Sequence, residues 1–291
     1  MKKNLLLLFM LILFAFFGCV STGDKVKEEV VERPAKEITS QELEYLLPSP
    51  GEILDMVHGL GLSYDIKLLS PLKEPNGFVL FRNQALNFGV YLTDFSYLLL
   101  FEKHSESLNY LFQIQKMSSL IGVEKYFDDN FFNSILSNLN QPDTLKSMAI
   151  DQTALFFNRM ESIGNKDLVL LVTTGAMIEV IFLASNIFQE EHINDNTLTA
   201  IQNFDVLFDV FYLHYLTTRP GDPALIKLST DLQQMRSIFK SMNIKHTSTV
   251  VKENGKISIS KTINHEITKK KVGELKVFAS SIRNKLINQK Y

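Results

Sequence analysis

The 291-residue chain contains no tryptophan and one cysteine, Cys19. A single thiol cannot close an internal disulfide, so the fold must hold without a covalent staple. Charge of one sign is lacking too: 30 Lys and Arg against 32 Asp and Glu leave a net charge of −2. Nothing in that balance points to nucleic acid as a partner. Motifs that carry chemistry are also missing, with no G-x-S-x-G elbow, no GxxxxGK[ST] phosphate loop and no HExxH pair. His58, His104, His192, His214, His246 and His265 are scattered. No Glu-x-x-His pair, the usual metal motif of helical bundles, falls on the helices expected to be central. A fixed tetratricopeptide or ankyrin period is absent as well.

What is present begins at the amino terminus. Lys2 and Lys3 precede the apolar run Leu5 to Phe17, the charged and apolar regions of a secretory signal. That run is shorter than the ~20 residues of a membrane span. It ends in ILFAFFGCVSTG. A bacterial lipobox places Leu, a small residue, then Gly or Ala before the modified cysteine; Phe16, Phe17, Gly18 and Cys19 keep the small residue and the thiol but put phenylalanines upstream. Thioether attachment of diacylglycerol at Cys19 would use up the thiol, and two or more acyl chains make a lasting anchor. Cleavage at an ordinary signal-peptidase site would instead leave a free reactive thiol in an exported chain.

The expected organisation is therefore a signal peptide over 1–18, a lipidated Cys19 with a tether over 19–44, and one domain over 45–291. Loss of residues 1–18 removes two lysines and no acids, taking the charge from −2 to −4. The polar stretch STGDKVKEEVVERPAKEITSQ has the composition of a solvated linker. Val20 and Ser21 place no aspartate immediately after Cys19, which resembles lipoproteins sent to an outer membrane rather than retained at the inner one.

Within the domain, helical periodicity dominates. LLPSPGEILDMVHGLGL predicts a short helix from Pro50 to the closing GLG, with Ile53, Leu54 and Met56 inward. In ALNFGVYLTDFSYLLLFEK, Ala85, Phe88, Leu92, Phe95 and Leu99 recur at steps of three and four, and the opposite side is apolar too, so burial on two faces is expected. Ser105 is placed to cap the next helix. Others are expected over 125–139, 143–163 and 223–242, and around Ile201, Phe204, Phe208, Phe211 and Tyr215. DLVLLVTTGAMIEVIFLASNIF, residues 167–188, is almost pure hydrocarbon. Its Thr, Gly, Glu, Ser and Asn residues favour the core of a bundle over a membrane span, where an ionisable group costs about 3 kcal/mol. TSTVVKENGKISIS alternates about Asn254-Gly255 and predicts a β-hairpin over about 247–260 that must lean on the helices. A final helix is expected over about 263–288. The fold class is all-α, a multi-helix bundle or a short α-α superhelix, with that small hairpin near the C-terminus.

Four acids look misplaced. Asp94 in YLTDFSYLL and Glu179 in AMIEVIF lie among aromatic and aliphatic neighbours, and Asp205 and Asp209 in FDVLFDVF share a helix face. A carboxylate taken out of water must be paired, hydrogen-bonded or protonated. Asp94, Glu179, Asp205 and Asp209 are thus either an interhelical polar network, with Arg82, Arg159, tyrosines or backbone as partners, or the lining of a pocket. No catalytic residue, metal ligand or cofactor is assigned.

The segments LPSPGEIL, ALNFGVYLTDFSYLLLFEK, LNYLFQIQKMSSLIGV and GAMIEVIFLA together resemble a group of helical lipoproteins of unknown function from Bacteroidetes-type bacteria. That resemblance implies an all-helical fold at the outer membrane and carries no catalytic residues. The expected function is a non-enzymatic binding or scaffold component of the envelope, held to the membrane by lipid on Cys19 and with an envelope protein as its candidate partner. Alternatives are a carrier of an apolar ligand in a Phe-rich pocket, or a carboxylate-based hydrolase or metal-dependent enzyme. Replacing Cys19 with Ala is expected to shift the protein from the membrane to the soluble fraction or leave its signal uncut. Membrane retention of the cleaved variant would contradict the anchor.

Overall fold

The computed structural model describes residues 64–74, 77–138, 140–162, 164–187, 194–218, 222–242, 247–253, 256–262 and 265–291. The signal, Cys19, the tether and the short helix expected from Pro50 lie outside these residues. So do Asn254 and Gly255.

Eight α-helices are described: α1 (Phe81–Leu100), α2 (His104–Leu120), α3 (Asp129–Ser137), α4 (Pro142–Ser162), α5 (Lys166–Ile187), α6 (Asp195–Thr218), α7 (Ile226–Ser241) and α8 (His265–Ile287). Their ends refine the expectations. α2 starts at His104, with Lys103 at the cap position and no side-chain cap, so Ser105 is already inside the helix. Residues 124–126 form a 3-10 turn, and α3 begins only at Asp129, where Asp128 accepts a hydrogen bond from Phe131 N at 2.9 Å. Pro142 opens α4 rather than breaking the chain, because a first-turn residue has no helical partner for the N–H that proline lacks.

α1 and α5 form the centre. α5 packs against α1, α4, α6 and α8, while α1 also meets α2, α4 and α8. The last helix returns to the first, which a superhelix of stacked neighbours would not do. The arrangement is a bundle around a buried hub. α5 is long and apolar enough to cross a membrane, yet nearly all of it is buried among the other helices. Its polar residues are accommodated locally: Thr174 Oγ1 donates to Leu170 O at 2.7 Å, and Asn186 Nδ2 to Phe182 O at 2.8 Å. Such back-bonding satisfies a hydroxyl or amide inside a helix without an outside partner.

The two central helices touch backbone to backbone. A Cβ built on Gly89 of α1 would overlap Val172 O of α5, and one on Gly175 of α5 would overlap Leu86 O of α1. The reciprocal glycines remove the side chains that would otherwise hold the axes apart. Around them the aromatic residues fill space with one another, as in the edge-on pair Phe88 and Phe127 at 5.3 Å and the pair Phe208 and Phe239 at 5.4 Å.

Between α7 and α8, the backbone of β1 (Thr247–Glu253) runs antiparallel to β2 (Lys256–Thr262), with Thr247 opposite Thr262 and Glu253 opposite Lys256. The two strands contact each other far more than any helix. The helical body itself is all-α.

Gly89→Ala or Gly175→Ala is expected to destabilise the fold by about 3 kcal/mol or more, since the clash is with backbone and no rotamer relieves it. Gly77→Ala, where an added Cβ meets nothing within 4 Å, should stay within about 0.5 kcal/mol. Urea denaturation of the three variants measures both.

Candidate functional site

Asp94 on α1 and Glu179 on α5 come together at the hub, and both are fully buried. Their cation is Arg283 of α8. Its Nε donates to Glu179 Oε2 at 2.9 Å and its Nη2 to Glu179 Oε1 at 2.9 Å, a two-pronged pairing with the guanidinium 7 % exposed. Phe182 lies under it, 4.3 Å from ring centre to guanidinium carbon.

One cation thus faces two acids in a dry site. Asp94 Oδ2 accepts from Ser70 N at 3.0 Å, whereas Oδ1 meets no donor among its neighbours unless it carries a proton itself. Burial and then the charge of Glu179 push Asp94 well above the usual carboxylate range, with Arg283 opposing. Burial raises Glu179 as well, while Arg283 pulls it down. A single proton resolves the arrangement: neutral Asp94 hydrogen-bonds to the Glu179 carboxylate, and Glu179 neutralises Arg283. The cluster then carries no net charge, as its burial requires.

The remaining bonding capacity goes to the segment before α1. Residues 65–73, which open with a 3-10 turn over Ile66–Leu68, run antiparallel to α1 as a strap that is buried only at Leu69 and Ser70, where main chain outside a helix or strand needs partners for its polar groups. Asp65 N donates to Tyr97 OH at 2.9 Å, Ser70 N to Asp94, and Lys73 N to Tyr91 OH at 3.2 Å. In return Arg283 Nη2 donates to Leu68 O at 2.9 Å and to Ser70 Oγ at 3.1 Å, Tyr91 OH to Pro71 O at 3.2 Å, and Tyr110 OH to Ser70 O at 2.5 Å. Gln113 Nε2 reaches Lys73 O. Burial pushes the Tyr91 phenol up to about 12, so it keeps the proton it donates.

Asp205 and Asp209 are elsewhere. They sit half-buried on α6 and face α7, where Arg236 Nε donates to Asp209 Oδ1 at 2.8 Å and Lys240 pairs with Asp209 and with Asp205 at 3.1 Å. Arg236 also lies over the Tyr212 ring at 5.2 Å. Burial raises Asp209, but Lys240 and Arg236 outweigh it and hold the carboxyl below its ordinary value. These partly exposed pairs contribute little to stability. The four acids therefore form two separate sets with no shared partner. Arg82 belongs to neither, pairing with Asp222 at 2.8 Å, and Arg159 is exposed on α4.

Arg283 was the residue that the sequence pattern left unassigned. Its position four after Ala279 and three before Leu286 puts it on the apolar face of α8, the one available signal. Among the described residues, no cluster of three or more His, Cys, Asp or Glu is placed to hold a metal ion. A cavity of about 370 Å³ lies between Gly164 to Asp167 at the start of α5 and His214, Thr217 and Thr218 at the end of α6. None of the four acids lines it. No protein family, curated protein or solved structure matches the chain.

Two substitutions test the cluster. Removing the cation in Arg283→Met strands the Glu179 charge and is expected to cost about 3–5 kcal/mol, while adding Glu179→Leu to it should restore most of the loss. Asp94 has its folded-state pKa raised, so the native state binds the extra proton and stability falls as pH rises from about 4 toward the folded value. Asp94→Asn mimics the protonated form and should flatten that fall while keeping the fold. Urea titrations across pH report both effects.

Proposed function

We propose that this chain is a lipid-anchored, non-enzymatic helical protein of the bacterial cell envelope, acting as a binding or scaffold component at the outer membrane. The anchor is the diacylglyceryl thioether at Cys19, and the protein belongs with the Bacteroidetes-type helical lipoproteins that its segments resemble.

One observation supports this reading most. The acids available for hydrolytic or metal-assisted chemistry are spent on structure: Asp94 and Glu179 on Arg283 and the strap, Asp205 and Asp209 on Arg236 and Lys240. A general acid or base must reach substrate or a water. Asp94 and Glu179 are wholly buried and reach neither. The apolar-carrier alternative draws no support from the phenylalanines, whose rings pack on one another across the core.

Cross-linking the full chain in intact envelopes is expected to capture one stoichiometric protein partner, and added divalent cations should leave the melting temperature of the purified full chain unchanged. A monomer without partner that shows turnover, or a metal-dependent rise in melting temperature, would contradict the proposal.

A further inference from the structure

Three consecutive large apolar side chains project into water where the strap turns into α1: Val79 is 80 % exposed, Leu80 43 % and Phe81 48 %. Their backbone is firmly held. Phe78 is buried at the root, Gln84 Nε2 donates to Phe78 O at 2.8 Å, and Gln289 Nε2 donates to Gly77 O at 2.6 Å. Arg82 ties two more elements to the same end, donating to Asp222 at 2.8 Å and to Tyr291 O at 3.2 Å. Those contacts bring in the start of α7, where Ile226 is 68 % exposed, and the end of α8, where Lys290 is exposed.

The tip is therefore apolar at its summit, and the elements tied to its base carry a small excess of basic side chains. Arg82 and Asp222 neutralise each other, which leaves the exposed Lys227 on α7 and Lys290 beyond α8 against the exposed acid Glu74 of the strap. Long basic side chains lay their stems along apolar surface and keep their charge at the polar boundary. Aliphatic and aromatic residues edged by Lys and Arg form the composition of an element that lies in a membrane interface. Rigid projection suits entry into a fluid apolar layer.

We propose that Val79, Leu80 and Phe81, with Ile226, form a membrane-contact tip that dips into the headgroup boundary of an anionic bilayer. The inference deepens the lipid-anchored reading, which supplies the bilayer. The tip lies at the far end of α1 from the entry of the strap, about 30 Å away by helix rise. Between Cys19 and Tyr64 there are 45 steps of chain, which span up to about 150 Å when extended. An anchored molecule has ample chain to lay this end on the membrane.

The lone native cysteine makes the test clean. In the full chain carrying Cys19→Ala, Val79→Cys is labelled with an environment-sensitive fluorophore, and Val277→Cys, at a position 72 % exposed on α8, serves as the control. With phosphatidylcholine–phosphatidylglycerol vesicles, a blue shift is expected at position 79 and none at 277. Leu80→Asp with Phe81→Asp should abolish it. No shift at 79, an equal shift at both positions, or a shift that survives the double substitution would overturn the tip. The anchor is scored separately, by membrane fractionation of the unsubstituted protein in cells. A membrane-bound unsubstituted protein whose position 79 gives no shift refutes the tip alone. A soluble one whose position 79 does shift supports the tip and refutes the anchor.

Discussion

Everything in the described body converges on the pairing of Arg283 with Glu179 and the proton held by Asp94. Arg283 comes from the last helix, Glu179 from the hub, Asp94 from the first helix, and the strap lies across all three. A guanidinium 7 % exposed beside a fully buried carboxylate is tolerable only when every remaining donor has an acceptor. Here Nη2 of Arg283, besides Glu179, also reaches Leu68 O and Ser70 Oγ. The constraint runs both ways, since the main chain of buried Ser70 would be unsatisfied without Asp94 and Tyr110. A buried charge cluster of this kind specifies which surfaces meet more than it adds net stability.

The reciprocal glycines supply the other half of the geometry. Glu179 stands four residues beyond Gly175 and Asp94 five beyond Gly89, so each acid lies about one turn from the point where the helices cross. Close approach of the backbones brings the two carboxyls near enough to share a proton. A side chain at either glycine would separate the axes and leave the acids unpaired in hydrocarbon.

Much of this was legible in the sequence, for identifiable reasons. α1 and α5 announced themselves by continuous apolar periodicity, and Asp94 and Glu179 by their presence inside it. The strap was not legible, because a short turn and loop held through main-chain bonds leave no periodic signature in their side chains. Nor was Arg283, which shares its helix with the solvated lysines Lys270 and Lys276 and differs only in lying on the apolar face. Grouping Asp205 and Asp209 with the buried pair failed because α6 is apolar nearly all round. Val206 and Leu213 face water there while Phe204 and Phe208 face the core, so an acid amid apolar neighbours could fall on either side. The spacing of four shared by Asp205 with Asp209 and by Arg236 with Lys240 was the available clue.

The four candidate acids serve packing and pairing, in keeping with a protein whose proposed work is attachment and contact. The most direct measurement is native-state hydrogen exchange of the strap amides of Asp65, Ser70 and Lys73 in the intact chain. If their side-chain acceptors pin the strap to the hub, these amides exchange only through the opening that exposes the centre of α1, with protection close to that of its core amides. Exchange at the rate of an exposed loop would contradict the view that the buried acids exist to hold this segment.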